Sequence, residues 1–397
     1  MSEDTGVTVQ GPSLEGKRVI LAVSGGIAAT ESIKLARELR RHGADVYPIM
    51  SKSAEKVISP LALSWGSGGQ VITKWDPEMS QLSGFDGLIL APATRNSIAK
   101  FIHGLLDSPM MMALSAAAGR QIPMMFVPSM HNDLFHDAVT TDLLSSLKGL
   151  GVEVLLDESS EGRIKQPSVT EIVARFCNIT NRRLENRKMV AVTLGSNTAP
   201  IDSVRSIVNT STGRTGWAIS EHLYRMGHDV VCLVGNTSSD PTFTLPDVRV
   251  AESPEKMLNE SIHLAKSIPS PEFWVHAAAV LDYVPEYNDG KMPSGADNWK
   301  IDLLPTKKHL QALKEHVEGS RRIGFKLDVG VGEETLVSRS KDLISENDLH
   351  AVVANLLHEV DDLSKKRCRI VFSNGEVESI QDLSCLCDSI EDIISSN

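Results

Sequence analysis

Apolar residues fall in short blocks separated by stretches with helical spacing. Residues 17–23 (KRVILAV) form a block rich in β-branched side chains that ends on Ser24-Gly25-Gly26, which predicts a buried strand running into a turn. Residues 27–41 carry Ile33, Leu35, Ala36 and Leu39 on one side of a helix. Residues 45–50 (DVYPIM), 87–90 (GLIL) and 123–127 (PMMFV) predict further buried strands. Strands that alternate with helices imply a parallel sheet covered on both faces. The pattern breaks at 178–188 (NITNRRLENRK), a polar stretch that reads as a linker, and then restarts. Strands are expected at 189–194 (MVAVTL), 229–234 (DVVCLV), 273–279 (FWVHAAA) and 351–356 (AVVANL), with a helix at 216–226. Residues 367–372 (RCRIVF) read as a strand entering a tight turn at Ser373-Asn374-Gly375, and a closing helix follows. The expected fold class is α/β, with two doubly wound Rossmann-like domains at residues 15–180 and 188–397. In such sheets ligands bind beyond the carboxyl ends of the strands, so the chemistry belongs in those loops.

Composition narrows the functions available. A chain of 397 residues suits two domains, and 41% hydrophobic with 23% charged residues is a globular profile. The formal net charge of −11 argues against broad binding to nucleic acid or anionic membrane, because like charges repel. No apolar run reaches the roughly 18–20 residues of a membrane helix, and the polar opening MSEDTGVTVQGPSLEG lacks the features of a signal peptide. The five cysteines are scattered, with Cys385 and Cys387 as an unaccompanied C-x-C, which reads as reduced thiols. A cytoplasmic enzyme acting on small molecules is expected.

Four strand-end loops in the first half carry unusual residues: SGGIAA from Ser24, SKSA from Ser51, APATRNSIAK from Ala91 and PSMH from Pro128. Glycines at the first turn allow close backbone approach to an anion at a helix start, although many such turns need glycine for steric reasons alone. In this order the set resembles the flavoprotein family of cysteine decarboxylases, most closely its phosphopantothenoylcysteine decarboxylase domains. The resemblance implies a flavodoxin-like fold binding flavin mononucleotide (FMN), with contacts from Gly25, Gly26, Ser51, Ser53 and Thr94. It places Asn96 in the loop that meets flavin or substrate, and His131 in the family's catalytic motif, at the position where asparagine is usual. Two family features are missing. The histidine usual before the APAT strand has no counterpart, since Glu78-Met79 stands there and residues 44–101 contain no histidine. The flap that carries a cysteine in bacterial members reads Asp157-Glu158-Ser159-Ser160-Glu161-Gly162-Arg163 here. Decarboxylation needs a base and a proton donor, and three readings stay open. Either His131 and an acid such as Glu78 move the protons, or the domain binds flavin without turnover, or it serves as a scaffold.

The second half presents IDSVRSIVNTSTGRTG from Ile201, AAAVLDY from Ala277, KMPS from Lys291, PTKK from Pro305 and GFKLD from Gly324. Any single lysine reads best as solvated surface. Together, Lys291, Lys307, Lys308, Lys326, Arg339 and Lys341 are expected at or near loops that line one mouth, as a triphosphate requires several donors. This set resembles the phosphopantothenate–cysteine ligase family, and the two halves follow the order of its fused bifunctional members. The resemblance implies a C-terminal ligase domain that activates a carboxylate with a nucleoside triphosphate through an acyl nucleotidylate. Asn209 would handle that intermediate. Asp282, Lys291 and Phe325 would bind the nucleotide, with Lys307, Lys308 and either Arg339 or Lys341 near the phosphates. It also implies Mg2+, homo-oligomers, and either CTP, favoured by the fused layout, or ATP, which the GFKL form matches. The loop Gly195-Ser196-Asn197-Thr198-Ala199 stands where the family has GGTxE, so one acidic contact is missing.

Overall fold

A computed structural model describes residues 6–75, 84–157, 159–160, 163–293, 298–359 and 366–396. Glu78, Glu158, Glu161, Gly162 and Ser294 lie outside the described residues. The chain divides into two compact units, Met1–Arg183 and Leu184–Asn397.

The first unit holds a five-stranded parallel sheet of β1 (Arg18–Val23), β2 (Asp45–Met50), β3 (Gly87–Ala93), β4 (Met124–Pro128) and β5 (Glu153–Val154), in the order β2-β1-β3-β4-β5. Its longer helices are α1 (Ser32–Arg41), α2 (Pro60–Ser67), α3 (Arg95–Ile102), α4 (Pro109–Gly119), α5 (Ala138–Gly149) and α6 (Val169–Asn181). Side chains alternate between the faces of a strand, and both faces of β1 are buried. Val19, Leu21 and Val23 pack with Leu35, Leu39, Ile172 and Phe176, whereas Ile20 and Ala22 pack with Met110, Leu114, Leu143 and Leu147. Two-sided burial is why these strands read as unbroken apolar blocks. The order reverses between β1 and β3, a switch point where the strand-end loops part and leave a crevice.

Two sequence expectations shift here. The helix expected from residue 27 begins as a tight 3-10 turn, Ile27–Glu31, and α1 proper starts at Ser32, whose Oγ donates to the Ala91 carbonyl at 3.0 Å. The stretch read as linker from residue 178 is helical up to Asn181. Its Asn181 side chain is buried with a partner, its Nδ2 donating to the Ser13 carbonyl at 2.7 Å.

The second unit holds an eight-stranded sheet of β6 (Met189–Leu194), β7 (Asp229–Val234), β8 (Asp247–Val250), β9 (Phe273–His276), β10 (Arg321–Asp328), β11 (Ala351–Leu356), β12 (Cys368–Phe372) and β13 (Val377–Ile380). The order is β8-β7-β6-β9-β10-β11-β12-β13, parallel as far as β11 and antiparallel over the last two pairs. Its longer helices are α7 (Arg214–Arg225), α8 (Pro254–Ala265), α9 (His309–Leu313), α10 (Glu333–Asn347) and α11 (Leu383–Ser395). The first six strands follow the Rossmann order, with the switch point between β6 and β9. A methyl group on Gly216 would lie 2.3 Å from Leu194 Cβ, so glycine is what lets α7 start hard against the end of β6.

Strand β9 stops at His276 instead of running to Ala279, because the chain leaves the sheet to track the end of β6. Ala277 N donates to the Thr193 carbonyl at 2.9 Å and Ala279 N to the Gly195 carbonyl at 2.8 Å. Arg339 and Lys341, expected at or near loops, sit within α10. Among the described residues no helix is long and apolar enough to cross a membrane.

Candidate functional site

In the first unit the loops after β1 and β3 are tied together by Ser24. Its Oγ accepts from Thr94 N at 2.9 Å and donates to the Pro92 carbonyl at 2.7 Å. Thr94 caps α3 in turn, accepting from Ser97 N at 3.4 Å. A methyl group on Gly25 would stand 2.2 Å from Ser53 Cβ, so the loop after β2 lies directly on this glycine. Within that loop Ser51 Oγ accepts from Ala54 N at 3.2 Å.

A cavity of about 910 Å³ opens at this switch point, lined by Gly26, Thr94, Asn96 and His131 together with Glu31, Arg95, Ser129, Lys165 and Gln166. Gly25, Ser51 and Ser53, expected as contacts, are not among its lining residues. Apolar side chains face the space as well, with Ile27 74% exposed. Arg95 is paired with Asp137 at 2.5 Å and Glu31 with Lys34 at 3.0 Å. His131 is exposed at the end of the two-residue strand Met130–His131, which pairs with Arg163–Ile164. Both polar atoms of the Gln166 amide are shielded from solvent and have no hydrogen-bond partner among the described residues. An apolar wall beside a dry, unpartnered amide fits a planar aromatic group with a polar edge. Glu31 and Gln166 were not visible as site residues in the sequence, because only the pairing of Met130–His131 with a strand over 30 residues later draws Gln166 to this cavity.

In the second unit Asn209 follows the short strand Ser206–Val208 and precedes α7. Its Nδ2 donates to the Ala279 carbonyl at 3.1 Å, which fixes the amide beside the β6/β9 switch point. Upstream, Asp202 gathers five donors: Val204 N at 2.9 Å, Arg205 N at 2.8 Å, Arg205 Nε at 3.0 Å, Arg205 Nη2 at 2.5 Å and Met292 N at 3.1 Å. The Arg205 guanidinium above all, and then the backbone amides, hold the Asp202 carboxyl well below the usual carboxylate range. Arg205 Nη2 also donates to the Met292 carbonyl at 2.8 Å, and the guanidinium lies 4.3 Å over the Trp299 ring. The segment that leads to Asn209 is thereby clipped to the segment that carries Lys291.

A cavity of about 610 Å³ lies at the carboxyl ends of β9 and β10. Five of the expected residues, Asp282, Lys307, Lys308, Lys326 and Phe325, line it together with His276, His309, Thr193 and Ala278. Lys308 Nζ meets Asp282 Oδ1 at 2.6 Å in an exposed pair. Arg339 joins indirectly, since it pairs at 3.2 Å with Asp328, which also faces Lys326 at 3.6 Å. Lys291 is exposed in the clipped segment, and Lys341 is exposed on α10; neither lines the cavity. In the loop that departs from GGTxE, Ala199 stands buried where the acid would be, and Asn197 is fully buried, its Nδ2 donating to the Ala251 and Glu252 carbonyls, both at 3.3 Å.

Both histidines of this cavity escaped the sequence reading. His276 is 9% exposed, its ring stacks on Trp274 with centroids 5.8 Å apart, and its Nε2 has no partner among the described residues. Burial, then Arg322 and His309, lowers its pKa to about 3. Burial likewise lowers that of His309, against the pull of the Pro254 carbonyl and Asp282. His276 is hidden in the sequence because a lone histidine in an apolar strand gives no pattern.

The flavoprotein family model matches residues 9–181, and the model described as the DNA/pantothenate metabolism flavoprotein C-terminal domain matches residues 185–386. The coenzyme A biosynthesis bifunctional protein CoaBC of Thermococcus kodakarensis is 36% identical over 352 residues, covering 87% of this chain and 86% of the relative. Its counterpart in Methanocaldococcus jannaschii is 29% identical over 358 residues, covering 89% and 85%. The solved DNA/pantothenate metabolism flavoprotein of Streptococcus pneumoniae aligns with 52% of this chain and 98% of its own, at 25% identity and a TM-score of 0.47. With a flavoprotein domain in front of a pantothenate-metabolism domain and this likeness along most of its length, the chain belongs to the CoaBC family of coenzyme A biosynthesis bifunctional proteins.

Proposed function

We propose that the C-terminal unit is a phosphopantothenate–cysteine ligase driven by a nucleoside triphosphate, and that the N-terminal unit decarboxylates the product with FMN. In the ligase the 4'-phosphopantothenate carboxylate attacks the α-phosphorus of the nucleotide and pyrophosphate leaves. The cysteine amine then attacks the acyl carbon of the acyl nucleotidylate, and the nucleoside monophosphate departs. The observation that carries this reading is one cavity shared by Asp282, Lys307, Lys308 and Phe325, with Asn209 bonded to Ala279 between the lining residues Ala278 and Val280. Lys307, Lys308 and Lys326 would neutralise the triphosphate, with Lys291 approaching from its clipped segment and Arg339 or Lys341 from α10. The Asn209 amide would hold the mixed anhydride while the amine approaches. A magnesium ion binds phosphates with one or two carboxylates, and Asp282 suits that minimal role. CTP is the favoured nucleotide because this chain has the fused two-domain layout, with ATP as the alternative.

For the N-terminal unit, the apolar wall and the dry Gln166 amide suit an isoalloxazine ring. Gly26, Thr94 and Asn96 would contact the FMN, and Gly25, Ser51 and Ser53 would shape its phosphate loop. Bound flavin would supply the oxidation of the substrate thiol that makes carbon dioxide loss feasible. His131, with Glu31 across the same cavity, is the group on hand to hold and move a proton. A second reading, a ligase whose flavin domain no longer turns over, is favoured by the missing histidine and cysteine. Both units are proposed to work within a homo-oligomer.

The test is to incubate the protein with phosphopantothenate, cysteine and each nucleotide in turn, following pyrophosphate and carbon dioxide separately. Pyrophosphate release that depends on both substrates is expected. Carbon dioxide from a flavin-loaded sample supports decarboxylation, and its absence selects the second reading. Asn209→Ala should stall after nucleotidylation and accumulate an acyl nucleotide; unimpaired product formation would remove Asn209 from the mechanism.

A further inference from the structure

We infer that His276 reads the base of the nucleotide, and that its imidazole at the inner end of the ligase cavity sets which nucleoside triphosphate the enzyme prefers. The inference deepens the ligase reading and rests on it.

The cavity is polarised in charge. Lys307 and Lys308 are exposed at its mouth beside Asp282, whereas His276 and Thr193 are buried side by side at the ends of adjacent strands, in register with one another. A triphosphate orients itself in such a space. Its phosphates stay with the lysines, and its uncharged heterocycle goes to the end without mobile cations. The nearby Arg322 is committed elsewhere, donating to the Leu310 carbonyl at 2.9 Å and to the Asn347 carbonyl.

At that inner end His276 offers a group that no described residue uses. Its Nε2 is shielded from solvent and lacks a hydrogen-bond partner among the described residues, although the residue is only 9% exposed. A buried polar atom left without a partner is costly, and native interiors seldom keep one. The ring is also held in orientation, stacked at 10° on Trp274. Burial and the Arg322 charge keep it neutral in the physiological range. In a neutral imidazole the unpartnered Nε2 is either an N–H donor or a bare acceptor, according to tautomer, so it can make one hydrogen bond to a complementary atom on a nucleobase edge. Ala278, two residues on, takes little of the space that a planar ring would fill.

Sites built to hydrogen-bond a particular edge discriminate strongly against partners that leave a buried group unpaired. His276→Ala and His276→Asn in the full chain test the idea, with kcat/KM measured for CTP, ATP, UTP and GTP, and thermal shifts recorded with each nucleotide. Expected is a fall on the order of tenfold in the ratio of kcat/KM for the best nucleotide over the others in His276→Ala. The KM for cysteine should hold, and His276→Asn, which restores a donor and an acceptor, should recover part of the ratio. An equal loss for all four nucleotides, or no loss, overturns the assignment and leaves His276 as packing for Trp274. If the unmutated protein neither binds nor consumes any nucleoside triphosphate, the ligase reading itself falls, and that result is separate from a failure of His276 to discriminate.

Discussion

At the scale of single residues, the two glycine turns do different work. Gly25 is needed because the loop after β2 rests on it, and a Cβ there would approach Ser53 Cβ to 2.2 Å. Gly26 lines the cavity, with its nearest neighbour, Thr94 Cγ2, 3.5 Å from where a Cβ would stand. Gly25→Ala should therefore force the two loops apart and destabilise the N-terminal unit by about 1–3 kcal/mol, the usual cost of overpacking. Flavin content after purification should fall with it, read from the visible spectrum against protein absorbance, whereas Gly26→Ala should fold normally. The sequence made both glycines conspicuous but could not separate their roles, since that depends on a loop more than 25 residues away. The same holds for the lysines. Their types and spacing were plain, and which of them line a cavity depends on where β9, β10 and α10 end.

At the scale of elements, the ligase site is held by a clip between two loops. Arg205 bonds both Asp202 and the Met292 carbonyl and stacks on Trp299, so the segment bearing Lys291 is fastened to the segment bearing Asn209. Arg205→Lys keeps the charge and loses the planar fork that reaches both partners. It should raise the KM for nucleotide roughly 3–10-fold, the loss of one or two hydrogen bonds, in steady-state rates with the other substrates saturating; an unchanged KM would show that the clip plays no part. Element types were legible in the sequence wherever apolar periodicity was strong. Their ends were less so: β9 gives way at His276 because Ala277 and Ala279 bond the Thr193 and Gly195 carbonyls. Such a diversion cannot be read from small apolar residues alone.

At the scale of the whole molecule, the two units have separate cores and differ in how they should meet acid. In the C-terminal unit His222 is half-buried and His276 buried, and their pKa values are lowered to about 4 and about 3, in each case chiefly by desolvation. A group whose folded pKa is depressed contributes full stability above its unfolded value, near 6.5 for histidine, and loses it as pH falls toward the folded value. Between pH 7.5 and 5 each histidine should therefore cost roughly 2 kcal/mol of stability by linkage. Scanning calorimetry across that range should show the transition of the C-terminal unit falling; replacing His222 with glutamine should flatten the fall, and an unchanged slope would refute the linkage.

Read alone, the sequence determined that there are two α/β halves, where most of their strands lie, and which strand-end loops hold hydroxyls, amides and cations. These properties are local, written in short apolar blocks, in the 3.6-residue spacing of helices and in the glycines that turns require. Tertiary structure decided the strand orders, and with them the two switch points. It also decided which cations face a cavity and which ride on a helix, and that a buried histidine in an apolar strand keeps a ring nitrogen unpartnered. Those outcomes depend on contacts between segments tens of residues apart, and no window along the chain is long enough to contain both partners.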